Sequence, residues 1–382
     1  MAVVGITHSQ TCLVLRGRLR ALREAGFRVV LICSPGPLAD QLAADEKAER
    51  LTVLMQRSIA PLTDLAALFR LCRVLRQLRP VLTEFSTPKA GLLGNLAAFL
   101  CRVPTRIYML RGLRLETARG LKRMVLKATE RIAAGCAHVV LCNSESLREQ
   151  ARELGVAREA KLRIVGHGSS NGVDTQHYSP GPDCVRTRLG IARDAPVIGF
   201  VGRLTRDKGI PELIEAFEKL LERTPAARLL LVGWFDRSED ALSPELRGHI
   251  DAHPAIVRTG LVEDAAPYYR AMNMLVLPTW REGFPNAALE AAASAIPVIT
   301  TLTTGARDAV IPGVTGLLIP PGDPLATLAS MQQLLGSAAQ RLTMGLAGRR
   351  WVVGQFAKRQ VLGQTVAFYR DLLGGAEMRA KR

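Results

Sequence analysis

Two short segments carry residues whose types and spacing can do chemistry. The first, "RLTRDKG" at 203–209, follows the apolar run "PVIGFVG" at 196–202. Arg203 and Lys208 therefore stand just past a strand and just before a helix, where two cations suit an anionic ligand. The second, "REGFPNAALEAAA" at 281–293, follows the apolar run "MNMLVLPT" at 272–279. Here Glu282 falls in a loop, Gly283 and Phe284 lead to Pro285 in the first helical turn, Asn286 follows, and Glu290 lies inside the helix. A helix start offers unpaired N–H groups and a partial positive charge, which together make a seat for phosphate. Glu290, about five residues in, stands roughly one to two turns from that seat. A carboxylate there can accept hydrogen bonds from a ribose diol, while Glu282 on the loop side can take hydroxyls of a sugar beyond a diphosphate. The order carboxylate, diphosphate grip, carboxylate describes a nucleotide-sugar site, with Val262 a further donor-binding candidate. Each residue also has a purely structural role open to it. An acid near a helix start gains about 0.3–1 kcal/mol without any ligand, and Arg203 or Lys208 can pair with acids such as Asp207. Their coincidence at two strand ends favours binding.

The elements that must position them alternate between strand and helix. In the first half, "AVVGIT" (2–7) reads as a strand, "LRGRLRALREAG" (15–26) as a helix closed by Gly26, and "FRVVLICSPG" (27–36) as the next strand. "LTDLAALFRLCRVLRQLRP" (62–80) has apolar residues at helical spacing and ends at Pro80. "TRIYML" (105–110), the basic helix "GLKRMVLKATERIAAGC" (120–136) and "HVVLCNS" (138–144) continue the pattern. After the turn-rich "NGVDTQHYSPGP" (171–182) it restarts: "GIPELIEAFEKLLERTP" (209–225) is an amphipathic helix, and "ARLLLVG", "AIVRTG" and "MNMLVLPT" are strands of the buried, parallel kind. The expected fold class is α/β, with two Rossmann-like doubly wound domains facing across a cleft. The expected boundaries are 1–178, completed by a C-terminal helix over 358–382, and 179–357.

Composition narrows the partners. The 382 residues carry a net charge of +17, and residues 1–180 hold 27 Lys/Arg against 14 Asp/Glu, or +13 of it. A basic first half suggests membrane lipid, a phosphorylated acceptor or nucleic acid. Aromatics at 5% and the absence of any nucleic-acid motif argue against the last. Seven cysteines without a CxxC pair suit reduced thiols in the cytoplasm, not a disulfide frame or zinc site. "MAVVGITHSQ" has neither a charged n-region nor a long apolar stretch, so no signal peptide is expected. No apolar run reaches the roughly 18 residues of a spanning helix, and "AGLLGNLAAFLC" (90–101) reads as a buried or interfacial helix. The six histidines lack metal-ligand spacing, and neither HExxH nor DxD is present, so no metal or other cofactor is expected. Among the histidines, His8 alone keeps a claim on the cleft.

"VGRLTRDKG", "TWREGFPNAALEAAASAIPVITT" and "GARDAVIPGVTGLLIPPGD" resemble the retaining glycosyltransferases of family 4, which have the GT-B fold. The family's paired-glutamate signature matches Glu282 and Glu290, and its diphosphate-binding Arg and Lys match Arg203 and Lys208. "STPKAGLLG" (86–94) and "RGLRLETARGLKR" (111–123) look like the branch that builds capsular, exopolysaccharide and lipid-linked glycans. The resemblance implies a UDP-sugar donor, with a UDP-N-acetylhexosamine among the candidates, and a polyprenyl-diphosphate-linked acceptor. It also implies a metal-independent hexosyl transfer with Arg203, Lys208 and Glu282 as catalytic residues. Gly17, Lys89 and Arg111 are the acceptor-side candidates. Arg111 stands where many family members have a histidine, which makes it a residue to meet acceptor or donor phosphate.

Three arginine-rich stretches, "LRGRLRALREAGFR", "FRLCRVLRQLRP" and "GLKRMVLKATER", are expected to meet an anionic membrane surface. That places the protein in the cytoplasm, peripheral on the inner face of the bacterial cytoplasmic membrane. The alternatives are a nucleotide-sugar epimerase of related fold and a glycosyltransferase acting on a soluble small molecule.

Overall fold

The structure is a computed structural model that describes residues 1–56, 60–236 and 239–380. It divides into two compact units, Met1–Asn171 with Arg359–Arg382, and Gly172–Lys358. The chain crosses between them seven residues before the expected boundary of 178, so the turn-rich 172–182 belongs to the second unit. Of the C-terminal segment 358–382, residues 381–382 lie outside the described residues.

The first unit runs β1 (Ala2–Gly5), α1 (Arg18–Glu24), β2 (Val29–Cys33), α2 (Pro37–Asp45), β3 (Glu49–Thr52), α3 (Pro61–Leu78), β4 (Leu82–Ser86), α4 (Pro88–Leu100), β5 (Thr105–Leu110), α5 (Gly120–Cys136), β6 (Val139–Cys142), α6 (Glu145–Glu153) and β7 (Leu162–Arg163). Its parallel sheet has the order β3-β2-β1-β4-β5-β6-β7. The second unit runs β8 (Val197–Val201), α7 (Ile210–Leu221), β9 (Arg228–Val232), α8 (Pro244–Ala252), β10 (Ile256–Gly260), α9 (Ala266–Arg270), β11 (Met274–Leu277), α10 (Asn286–Ala293), β12 (Val298–Thr301), β13 (Gly316–Ile319), α11 (Pro324–Gly336) and α12 (Ala338–Gln355). Its parallel order is β10-β9-β8-β11-β12-β13. In both sheets the strand order reverses beside the first strand, the place where doubly wound folds take their ligands. The last helix, α13 (Lys358–Ala380), returns to the first unit, where Tyr369 is fully buried.

Burial on both faces of each sheet explains the near-continuous apolar strands. In the first unit one face packs Val4, Leu31 and Leu82 with Leu19 and Leu22 of α1, Leu42 of α2 and Tyr369. The other packs Val3, Val30 and Phe85 with Leu71 and Leu75 of α3 and Leu93 and Ala97 of α4. Helix α4, over the run read as buried or interfacial, is largely buried and packs between α3 and α5.

Three expectations need correction. The helix read over 15–26 is broken: residues Ser9–Leu15 form 3₁₀ turns, Gly17 takes φ +88°, and α1 starts only at Arg18. Pro285 is the N-cap of α10 rather than part of its first turn. Of the three basic stretches expected at a membrane, the first lies on the side of the sheet opposite α3 and α4. Arg18 in the first of them is moreover fully buried, so it meets no headgroup.

Candidate functional site

In the second unit, the segment after β8 and the segment after β11 are stapled together. Gly209 ends the 3₁₀ turn Arg206–Lys208 at φ +71°. A Cβ there would lie 2.0 Å from the Pro278 carbonyl oxygen, so only glycine allows this approach. The Asp207 carbonyl then accepts from the Trp280 N–H at 2.9 Å and the Thr279 hydroxyl at 3.1 Å. This juxtaposition brings Lys208 onto Glu282, and the two form an ion pair. A second glycine contact backs the Glu282 loop. Gly305, at φ +74°, leaves no room for a Cβ, which would meet the Gly283 carbonyl oxygen at 2.3 Å.

Arg203 is ion-paired with Asp236 and lies 3.8 Å from Asp207. Asp207 also receives the Thr205 hydroxyl at 2.6 Å and Nη2 of Arg281 at 2.9 Å, and the same Nη2 reaches Asp240 at 2.9 Å. Burial alone would raise the Asp207 carboxyl; Thr205, Lys208, Arg281 and Arg203 overcome it and hold the group below the ordinary carboxylate range. Burial likewise opposes the Arg203 charge, and Asp236 and Asp207 outweigh it, so the guanidinium stays protonated. The pairing that the sequence allowed for Asp207 is therefore present. Any diphosphate gripped by Arg203 and Lys208 must exchange with Asp236 and Glu282.

Helix α10 begins at Asn286 with no side chain capping it. Its first N–H groups point out of the helix start, next to Gly283, Phe284 and Pro285, all three buried. Phe284 is held against Phe356, ring centroids 5.4 Å apart. Asn286 keeps its side-chain oxygen buried without a partner. That oxygen is an acceptor and suits a hydroxyl, not the oxygens of a diphosphate diester, which carry no proton at neutral pH. Glu290, the fifth residue of α10, accepts the Tyr269 hydroxyl at 2.8 Å. Burial pushes its carboxyl above the ordinary range in spite of Tyr269. Val262, in the loop after β10, is half-buried against the core of this unit. The structure thus brings Lys208 to Glu282 directly and Arg203 into the same charged cluster through Asp207, while Glu290 is held separately by Tyr269.

In the first unit the Gly17 N–H donates to Oε1 of Glu46 at 2.9 Å and the Arg20 N–H to Oε2 at 2.8 Å, so a buried carboxylate of the chain already caps α1. Lys89 pairs with Asp64, its Nζ donating to Oδ1 at 2.6 Å. Arg111 follows β5 directly and donates from Nη1 to the Ser170 hydroxyl at 2.5 Å. His8 caps the 3₁₀ turns that follow β1, its Nδ1 accepting from the Gln10 N–H at 3.3 Å.

The residues missed by reading the sequence are the partners: Asp236 and Asp240 in "FDRSED", Arg281, Tyr269, and Glu84 inside β4. An acid within the apolar run "VLTEFS" was the one available signal for Glu84, since a charge inside a strand buried on both faces needs a partner.

Comparison with known proteins follows the same division. The family described as "Glycosyl transferase 4-like domain" matches residues 14–168, and "Glycosyl transferases group 1" matches 195–337. The chain is 34% identical over 340 residues to the capsular polysaccharide biosynthesis glycosyltransferase CapM of Staphylococcus aureus, covering 89% of this chain and 88% of the relative. It is 28% identical over 331 residues to the UDP-Gal:alpha-D-GlcNAc-diphosphoundecaprenol alpha-1,3-galactosyltransferase of Escherichia coli, covering 83% and 84%. Among solved structures, Anabaena Alr3699/HepE in complex with UDP-glucose superposes with a TM-score of 0.80 at 19% identity, over 97% of this chain and 99% of that one.

Proposed function

The chain belongs to the group 1, family 4 glycosyltransferases of GT-B fold, and on that premise we propose that it moves a sugar from a UDP-sugar to a polyprenyl-diphosphate-linked glycan in surface polysaccharide synthesis, with retention at the anomeric carbon. One observation carries the donor half of this reading. Lys208 and Glu282 meet beside the uncapped start of α10, with Arg203 in the same charged cluster. Transfer needs the negative charge of a departing diphosphate to be stabilised where it develops, and preorganised cations with a helix start do this without reorganising. Arg203 and Lys208 exchange their carboxylates for phosphate oxygens. The released Glu282 takes sugar hydroxyls, and Glu290, oriented by Tyr269, accepts from the ribose diol. No carboxylate is assigned as a nucleophile. The acceptor hydroxyl attacks the same face from which the diphosphate leaves, and the leaving phosphate takes its proton.

The acceptor half is supported by the relatives, whose names include a diphosphoundecaprenol-linked substrate and capsule synthesis. A peripheral membrane location is supported by exposed apolar and basic residues on α3 and α5; no helix among the described residues is long and apolar enough to cross a membrane.

The test is a screen of UDP-, GDP- and ADP-sugars against a polyprenyl-diphosphate-linked acceptor and a water-soluble one, with the product's anomeric configuration read by NMR. Transfer from a UDP-sugar to the lipid-linked acceptor with retention is expected. An inverted product, or an epimerised donor formed without acceptor, would refute the reading.

A further inference from the structure

Glu84 inside β4, Arg18 at the start of α1, Tyr369 of α13 and Arg111 just past β5 form a buried group of charges that the donor chemistry does not use. Glu84 of β4 accepts Nη1 of Arg18 at 2.8 Å and the hydroxyl of Tyr369. Arg18 spends its remaining donors on Asn171 Oδ1, through Nε at 3.0 Å, and on the Ser170 carbonyl. This part is closed, one guanidinium matched to one carboxylate with every donor group used.

Arg111 is the surplus. Its Nη2 stands 4.0 Å from Glu84, whose oxygens are already taken, and its side chain is only 11% exposed. Nη1 is used by Ser170, while Nε and Nη2 are buried with no hydrogen-bond partner. Those two nitrogens form one edge of the planar guanidinium, with parallel N–H bonds spaced to match two oxygens of a carboxylate or phosphate. Orphaned buried donors and an unmatched buried charge are both costly. Burial and the neighbouring Arg18 draw the pKa of Arg111 down to about 10, which still leaves it charged at neutral pH.

We propose that the Nε/Nη2 edge of Arg111 is an oxyanion seat that takes the diphosphate of the acceptor, separate from the Arg203–Lys208 grip on the donor. The inference rests on the lipid-linked acceptor reading for its ligand, and on the orphaned edge for its place. Its chemistry asks for two adjacent acceptor oxygens and a negative charge, which a diphosphate bridge supplies and a neutral sugar does not. The Ser170 bond fixes the plane of the guanidinium.

The donor also carries a diphosphate, so the experiment fills the donor site first. Binding of inorganic pyrophosphate to the full chain is measured by calorimetry in saturating UDP. The parent should bind one pyrophosphate, Arg111→Met should lose at least tenfold in affinity, and UDP affinity should stay within twofold. Arg111→Met should melt no lower than the parent, because its removal leaves Arg18 and Glu84 matched. Pyrophosphate bound equally by Arg111→Met, or UDP weakened as much as pyrophosphate, would overturn the proposal, as would a clearly lower melting midpoint. An Arg111→Lys chain that binds pyrophosphate as tightly as the parent would overturn the two-pronged contact. A protein that uses no diphosphate-linked acceptor yet loses pyrophosphate with Arg111→Met refutes the acceptor reading and keeps the seat. Unimpaired transfer to such an acceptor by Arg111→Met keeps that reading and removes the seat.

Discussion

Lys208 and Glu282 neutralise each other where the donor's diphosphate and sugar are proposed to meet, and Arg203 is matched by Asp236. Each cation therefore arrives at the substrate from a pair that must open. A neutral replacement loses charge that acts mainly as the diphosphate departs. Arg203→Ala and Lys208→Ala should each lower kcat/KM by about a hundred- to a thousandfold, roughly 3–4 kcal/mol, with circular dichroism unchanged. Activity near the parent's in both would remove the assigned grip. Glu290→Ala should weaken UDP in calorimetry, whereas Glu282→Ala should spare UDP and lower the rate with the sugar donor. The pH dependence follows from Glu290. Its carboxyl is raised by burial, so the charged acceptor form begins to be lost at a pH above the ordinary 4.5 as the solution is acidified. Donor KM should rise as pH falls through that range. Tyr269→Phe removes the hydrogen bond that partly offsets burial, so the rise should begin at a still higher pH; an unchanged profile would detach Glu290 from the ribose. The cations and glutamates were visible in the sequence because their spacing around strand ends is local. Asp236, Asp240 and Tyr269 were not, since pairing with Arg203, Arg281 and Glu290 is set only when β8, β9, β11 and α9 pack.

The helix α5 was read to its exact ends, Gly120 and Cys136, and β5 likewise at Thr105 and Leu110. Helical periodicity and a β-branched, aromatic run are strong local signals. Strands β3, β4, β7, β12 and β13 escaped. β4 carries Thr83 and Glu84 in its middle, and β12 and β13 are short runs joined by turn-rich sequence, so apolar periodicity fails. How α5 sits on β5 was also beyond a local reading. Glu130 is buried and accepts the Tyr108 hydroxyl at 2.6 Å, and Gly91 of α4 keeps room for the Tyr108 ring. Burial lifts the Glu130 carboxyl to about 7 against Tyr108, which lowers it. A carboxyl raised in the folded state binds its proton more tightly there than in the unfolded chain. Folding stability on this account is greatest below pH 4.5 and falls as pH rises to about 7. The loss over that window is about 3 kcal/mol. Glu130→Gln keeps an acceptor for Tyr108 and has no proton to lose. Its melting midpoint should exceed the parent's above pH 7, and the gap should narrow steadily toward pH 4.5. A gap independent of pH would show that Glu130 is not the titrating group.

At the scale of the molecule, the doubly wound plan was legible because it is an order of alternating elements. Which helix lies on which face of the sheet was not, because that depends on the direction in which each crossover travels. The consequence falls on the basic first unit. Its α1 covers one face of the sheet, with Arg18 turned inward onto Glu84, while α3 and α4 cover the other, and α5 packs beside α4. A flat membrane meets one of these faces at a time, and the residues choose. On α3, Leu62, Leu65 and Phe69 stand exposed at spacings of three and four, Leu62 at 85%, and Arg70, Arg73 and Arg76 follow them along the helix. On α5, Leu121, Met124 and Val125 are exposed, Leu121 at 75%, beside Lys122 and Arg123. If these apolar side chains enter the headgroup boundary, rimmed by cations worth about 1 kcal/mol each near an anionic surface, attachment would be peripheral and salt-sensitive. The protein should co-sediment with vesicles containing anionic phospholipid at low salt, release as salt rises, and bind neutral vesicles weakly. Leu62→Ser, Phe69→Ser, Leu121→Ser and Met124→Ser together should reduce binding at least tenfold. Arg16→Gln with Arg20→Gln removes two charges from the α1 side and should leave binding within twofold. Equal loss from both sets would mean that net charge, and not this face, holds the protein to the membrane. Full transfer to a lipid-linked acceptor in vesicles by the four-serine chain would separate catalysis from docking altogether.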